Sequence, residues 1–237
     1  MPKALIIIPT YNEIENIRLM IKQVMGYAHG YHLLIIDDNS PDGTASAVKE
    51  LQIDFPDRLH LIQRSGKLGL GTAYIEGFKW SLKKDYDYTI EMDCDFSHNP
   101  DDVERLISTA ENGPFDLVIG SRYVKGGEVI NWPMGRKLMS FYASVYVRLV
   151  LWISVKDTTA GFKCYRNSAL AKLNLDTIPF TGYAFQIYMK YQLIKKGFTY
   201  KEIPISFKDR ELGNSKMSSG IFKEAFIGVL KMRFIKS

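Results

Sequence analysis

ALIIIPTYNEIENIRLMIKQVMGYAHGYHLLIIDD, residues 4–38, holds two short apolar runs, ALIII (4–8) and HLLIID (32–37), on either side of a longer amphipathic stretch (12–26). Runs this short and apolar on both faces read as buried parallel strands, and the stretch between them as the crossover helix such strands require. The same alternation continues along the chain. LHLI (59–62), YTIEMD (88–93) and DLVIGS (116–121) read as further strands, with TASAVKELQ (44–52) and GTAYIEGFKWSLKK (71–84) as helices. That order predicts an α/β fold: a Rossmann-like, mostly parallel sheet with helices on both faces, whose ligands bind at the carboxyl edge of the strands. Beyond residue 124 the alternation gives way to a basic loop, an apolar helix over 138–155 and a Gly-containing turn. A helix over 182–196, the strand TYKEIPISF and a closing amphipathic helix follow.

With 237 residues, 46% of them hydrophobic, the chain can bury the core of one large α/β domain. A single domain over 1–237 is expected, with 205–237 as a strand end, a basic loop and an amphipathic helix. The formal charge of +5 is not gathered into Lys/Arg blocks, so no nucleic acid is expected, and a small anionic ligand or an anionic membrane surface fits better. Cys94 and Cys164 stand alone, without the spacing of a disulfide framework or a zinc site, which suits a reducing, cytoplasmic compartment. The apolar run at the N-terminus is too short for a signal peptide. Arg148 interrupts the one between 138 and 155, so it is not read as a membrane span.

Polar clusters fall where strands are predicted to end: PTYNE after the first, DDNSPDGT after the second and MDCDFSH after the fourth. In DDNSPDGT a turn and helix cap account for residues 39–44, but a turn needs only one of the adjacent carboxylates Asp37 and Asp38. In MDCDFSH, Asp93 and Asp95 stand one residue apart. Two carboxylates 4 Å apart repel by about 4 kcal/mol at an effective dielectric of 20, a cost that a bound divalent cation reverses. Mg²⁺ and Mn²⁺ take oxygen ligands, keep several waters and bridge carboxylates to phosphates. Cys94 reads as a packing residue and His98 as a turn residue. The GxG of KLGLGTAY (67–74) lacks the rest of a phosphate-binding fingerprint and reads as close backbone packing.

Taken in order, PTYNE, DDNSPDGT, KLGLGTAY, MDCDFSHNP, GSRY, DTTAGFKCYR, GYAFQ and RELGNSK resemble the series found in dolichyl-phosphate mannosyltransferases, members of glycosyltransferase family 2 with the GT-A fold. The resemblance runs from residue 4 to about 230. It implies that Pro9, Tyr11, Glu13, Ile36 and Asp38 hold the nucleoside of GDP-mannose. Asp93, Cys94 (by its backbone) and Asp95 would lie along the diphosphate, with Asp95 the main ligand of Mg²⁺ or Mn²⁺. Ser97 stands where some relatives have a metal-binding Gln. Arg122, Arg210 and Lys216 match cationic residues around the donor, and Arg136 with Ser140 matches the pair that grips the phosphate of a dolichyl or polyprenyl acceptor. Asp93, Asp95 and Arg122 would carry the catalysis.

The resemblance further implies inverting transfer to an acceptor phosphate that needs no general base. The acidic residue that several relatives place two positions after the Gln of GYAFQ is here Tyr188. This chain resembles the shorter relatives without C-terminal membrane spans, so peripheral attachment at the cytoplasmic face is expected, directly or through a small membrane protein. In the last helix Ile221, Phe222, Ala225, Phe226, Val229 and Leu230 share one stripe, which suits packing on the core or lying among headgroups. The helix from 138 is a second candidate for membrane contact. The alternatives are a polyprenyl-phosphate glucosyltransferase using UDP-glucose, a family 2 enzyme with a saccharide acceptor, and a non-catalytic nucleotide- or membrane-binding module.

Overall fold

The computed structural model describes residues 2–210 and 219–235, with side chains of the last helix described from residue 226. Lys216, Ile221, Phe222 and Ala225 therefore lie outside the described side chains. The N-terminal half follows the alternation read from the sequence: β1 (Ala4–Thr10), α1 (Ile14–Met25), β2 (His32–Asp37), α2 (Thr44–Gln52), β3 (Leu59–Gln63), α3 (Leu70–Leu82), β4 (Tyr88–Glu91), α4 (Asp102–Asn112) and β5 (Leu117–Ser121). In β1 the apolar residues split by parity, as the two-residue period of a strand requires. Leu5 and Ile7 join the core on one face, and Ala4, Ile6 and Ile8 the core on the other. Both faces are covered, and each fully buried Leu or Ile contributes roughly 1.5–3 kcal/mol.

Seven strands form one sheet in the order β3-β2-β1-β4-β7-β5-β8. The chain runs outward from β1 to β3, then returns to place β4 on the other side of β1, with both neighbours parallel to it. The carboxyl ends of β1 and β4 therefore flank the point where the winding reverses, which is where open α/β sheets bind ligands.

The second half departs from the sequence reading in four ways. A short strand, β6 (Glu128–Ile130), precedes α5 (Met134–Leu151), which starts after Pro133, four residues earlier than expected, and so takes Arg136 into its first turn. DTTAGFKCYR is more than a turn: Lys163–Arg166 form β7, which runs antiparallel between β4 and β5. Its signal was obscured by Lys163, a wholly buried lysine whose cross-strand partner is Glu91. The helices α6 (Asn167–Leu170) and α7 (Tyr183–Lys195) follow. The strand expected over TYKEIPISF breaks after Pro204 into β8 (Tyr200–Pro204), beside β5, and β9 (Ser206–Lys208), which pairs with β6 in a separate two-stranded ribbon. The closing helix α8 (Ser219–Phe234) packs against α5 and α7.

Candidate active site

At the end of β2 the adjacent carboxylates divide their work. Asp37 is an internal brace, accepting hydrogen bonds from Thr10 Oγ1 (2.9 Å), Ser40 N (2.9 Å) and Ser40 Oγ (2.6 Å). Asp38 instead accepts from Arg64 Nε at 2.5 Å, and Arg64 in turn reaches Thr72 Oγ1 and the Gly69 carbonyl. Burial pushes the Asp38 carboxyl up, with Arg64 opposing. The PTYNE turn is tied to the same loop, because Asn12 and Glu13 donate their backbone N–H groups to Ser40 Oγ and Thr44 Oγ1. Lys67 lies over the Tyr11 ring at 4.9 Å. Pro9, Tyr11, Glu13 and Asp38 thus border one end of the sheet. The Ile36 side chain is wholly buried beside Gly77, which leaves only its backbone to face a ligand. The GxG pair packs closely: Gly71 N donates to the Thr181 carbonyl at 2.7 Å, and a Cβ at Gly71 would stand 2.8 Å from the Phe180 carbonyl oxygen.

Five residues beyond β4, the MDCDFSH loop turns back through Phe96, whose φ of 59° places it in the left-handed region. That conformation costs a non-glycine residue about 1–2 kcal/mol. It brings Ser97 N within 3.1 Å of Asp95 Oδ1. The other Asp95 oxygen meets Arg210 Nη2 at 2.8 Å. His98 is a buried pillar rather than a turn residue. Its ring stacks on Phe162 at 4.9 Å, meets Phe207 edge-on, and its Nδ1 accepts the Asp93 N–H at 3.1 Å. Burial holds its pKa down, which keeps that nitrogen free to accept. Asp93 keeps about two-fifths of its side chain open on the cleft. Desolvation by the surrounding protein, with the neighbouring Asp95 charge, raises its carboxyl pKa against the pull of Arg210. A cation between the two carboxylates would relieve that repulsion. Among the described residues no three His, Cys, Asp or Glu side chains are placed to hold a metal ion together, so water and phosphate oxygens would complete a hard ion's shell. Cys94 is buried, as a packing residue should be.

Arg122, one residue past β5, is clamped by Asp157. Its Nε and Nη2 donate to the two carboxylate oxygens at 2.8 and 2.7 Å, its backbone N–H adds a third bond at 2.9 Å, and Nη2 also reaches Thr159 Oγ1. Burial alone would raise the Asp157 carboxyl, but the charge and hydrogen bonds of Arg122 outweigh it and hold the group below the usual range. Arg136 lies over the Trp132 ring at 3.9 Å and donates to both oxygens of Asp209 at 3.0 Å. Ser140 is one helical turn on, on the same face of α5. Asp93, Arg122, Arg136 and Ser140 all line one cavity of about 690 Å³, whose remaining wall is largely apolar and includes Met139, Tyr142, Val147, Phe226 and Val229. Tyr188 lies away from it in the core, against Phe180.

The sequence reading missed Arg64, Asp157 and Asp209. Each is the partner of a residue it did single out, and each pair joins positions at least 26 residues apart.

Residues 5–173 match the model of Glycosyl transferase family 2. The chain is 44% identical over 227 residues to polyprenol monophosphomannose synthase of Mycolicibacterium smegmatis, covering 96% of this chain and 85% of that protein. It is 42% identical over 229 residues to undecaprenyl-phosphate mannosyltransferase of Micrococcus luteus, covering 97% and 93%. Among solved structures, glucosyl-3-phosphoglycerate synthase from Mycobacterium tuberculosis, in complex with Mn²⁺, UDP and glucosyl-3-phosphoglycerate, superposes with a TM-score of 0.70 at 16% identity. It covers all of this chain and 81% of its own, and so shares the fold.

Proposed function

The chain belongs to glycosyltransferase family 2, and from that premise we propose that it transfers mannose from GDP-mannose to a dolichyl or other polyprenyl phosphate, with inversion at the anomeric carbon. The observation that carries this reading is the shape and chemistry of the 690 Å³ cavity. Its charged end presents Arg136 and Ser140 beside Asp93 and Arg122, and the rest of its wall is largely apolar, with α5 and α8 contributing to it. An acceptor with a phosphate at one end and an isoprenoid chain at the other matches both parts. A saccharide acceptor would find few hydrogen-bonding groups along the apolar wall.

The acceptor phosphate, with a second pKa near 6, is mostly dianionic at neutral pH and attacks without a general base. The burial of Tyr188 in the core is compatible with that. Arg136 and Ser140 orient the phosphate for in-line attack on the face opposite the leaving group, which turns an α-linked donor into a β-linked product. Arg122, fixed by Asp157, offers its charge to the departing diphosphate without having to reorganise. Arg210, paired with Asp95, would add charge on the donor side, as the resemblance implies for Lys216. Asp93 and Asp95 would hold Mg²⁺ or Mn²⁺, which when bound supplies charge neutralisation to the diphosphate. Pro9, Tyr11, Glu13, the Ile36 backbone and Asp38 would receive the nucleoside.

No helix among the described residues is long and apolar enough to cross a membrane. Attachment at the cytoplasmic face of a bilayer, directly or through a small membrane protein, is supported by the exposed side chains of Met134, Leu138, Tyr142 and Leu149 on α5 and of Ile227, Leu230 and Phe234 on α8. Arg148, Lys231 and Arg233, exposed on the same helices, suit an anionic surface.

The test is transfer from radiolabelled GDP-mannose and UDP-glucose to a short polyprenyl phosphate, with and without chelator, for wild type and Asp95→Ala. Mannose transfer that needs metal and is nearly abolished in Asp95→Ala is expected. Preference for UDP-glucose, or substantial transfer by Asp95→Ala, would refute the donor or the metal assignment respectively. Binding of GDP with metal but no turnover of any donor would favour the non-catalytic module.

A further inference from the structure

We propose that Gln186 contacts substrate, donating a hydrogen bond from its side-chain NH₂ to an oxygen of the transferred sugar or of the acceptor phosphate, and that Lys163 is the positioning residue that fixes which way this amide points. The proposal rests on the transfer reading above and names a further group within the same site.

Gln186 lies in the first turn of α7, almost wholly buried yet lining the cavity beside Asp93 and Arg122. Its Oε1 accepts a hydrogen bond from Lys163 Nζ. Lys163, fully enclosed, faces Glu91 across the β4–β7 ladder, with Nζ 3.2 Å from Oε2, and Tyr165 OH donates to the other Glu91 oxygen at 2.7 Å. An ammonium paired with a carboxylate has donors only. It therefore dictates the orientation of the glutamine amide: the oxygen must face Lys163 and the NH₂ must face away, because a flipped amide would set N–H against N–H.

The direction away from Lys163 is the cavity. Gln186 Nε2 lies 3.9 Å from where a Cβ at Gly161 would stand, and His98 Cε1 is 3.5 Å from the same point. Gly161, having no Cβ, leaves this opening at the cavity floor, and among the described residues the hydrogen bond of the Gln186 amide is the one its Oε1 accepts from Lys163. Two N–H groups aimed at the floor of a cavity that also holds Asp93 and Arg122 suit an oxygen of the bound reactants. A buried ion pair kept for stability alone would have little need of the third member, since apolar residues of similar volume commonly serve as well or better.

The test compares wild type with Gln186→Met and with the double variant Lys163→Met/Glu91→Gln, which removes both members of the pair so that neither is left without the other. Each is assayed with GDP-mannose, its four singly deoxygenated analogues, UDP-glucose and a short polyprenyl phosphate, alongside GDP affinity by calorimetry and thermal melting. Gln186→Met is expected to lower kcat/KM about ten- to a hundredfold, with GDP affinity within twofold of wild type. The double variant is expected to lose a similar factor through the freed amide. If one deoxy donor penalises wild type but not Gln186→Met, the accepting oxygen is that sugar hydroxyl. If every deoxy penalty persists and the acceptor KM rises in the variant, it is the lipid phosphate. Wild-type kcat and KM values in a folded Gln186→Met protein would overturn the proposal, as would a loss of rate matched by losses in melting temperature and GDP affinity. A double variant with full activity would overturn the role of Lys163. A wild type that uses UDP-glucose and not GDP-mannose would refute the mannosyl reading, while the same comparison on the glucosyl donor still decides the role of Gln186.

Discussion

Replacing Asp157 with alanine removes the partner that fixes Arg122, and the structure sets the size of the effect. The pair is made by two side-chain hydrogen bonds and one backbone bond, all between 2.7 and 2.9 Å, with the carboxylate fully enclosed and the guanidinium nearly so. Solvent therefore screens little of it. Breaking such a pair from one side leaves a buried charge uncompensated and costs about 3–5 kcal/mol. In a domain of this length each kcal/mol lowers Tm by about 2–4 °C, so Asp157→Ala should melt about 6–20 °C below wild type. Asp157→Asn should fall between, since its NH₂ must oppose one of the Arg122 donors. The pH dependence has a definite sign. A carboxyl whose folded pKa lies below its unfolded value of about 3.9 contributes fully above that value, and the contribution is lost as pH falls through the folded pKa. The gap in Tm between wild type and Asp157→Ala should accordingly be full at neutral pH and close in acid, below pH 4. Calorimetric melting from pH 7 to pH 3 measures both quantities. A Tm for Asp157→Ala within 2 °C of wild type at neutral pH, or a gap that widens in acid, would refute the assignment of the pair as a stabilising clamp.

Asp209→Asn weakens the anion that holds Arg136 in the absence of acceptor. The pair is about one-third exposed, so it is worth no more than about 1 kcal/mol, and the KM for polyprenyl phosphate should fall by up to about fivefold in steady-state assays. Gly71→Ala forces a Cβ to within 2.9 Å of Phe185 and 2.8 Å of the Phe180 carbonyl oxygen, and overpacking of this kind costs about 1–3 kcal/mol, readable as a lower urea midpoint. Leu149→Ser with Phe234→Ser removes two of the most exposed apolar side chains on α5 and α8. Co-sedimentation with anionic vesicles should drop at least about tenfold, with melting temperature unchanged.

The sheet was legible because its strands are short, apolar on both faces and separated by helices of ordinary length, so local pattern and tertiary role agree in Leu5–Ile8, Leu33–Ile36 and Leu117–Ile119. The strand β7 was not, because KCYR owes its place in the sheet centre to a lysine whose burial is compensated by Glu91, 72 positions earlier, and no window of sequence contains both. The same limit governs the site. The loops PTYNE, DDNSPDGT and MDCDFSH announce themselves by crowding polar residues at strand ends, whereas the groups that hold the candidate site residues, Arg64 for Asp38, Asp157 for Arg122 and His98 for the Asp93 backbone, look like ordinary charged or turn residues until folding brings them together. Residues 209 and 210 carry this furthest. Asp209 meets Arg136, expected to face the acceptor phosphate, and Arg210 meets Asp95, expected to face the cation, so one dipeptide places an anion and a cation against the two halves of the site. Ligands of the proposed chemistry then enter by exchanging charge with groups already paired, and that exchange, rather than neutralisation of bare charge, is what lets so many ionised side chains share one cleft without unfolding it.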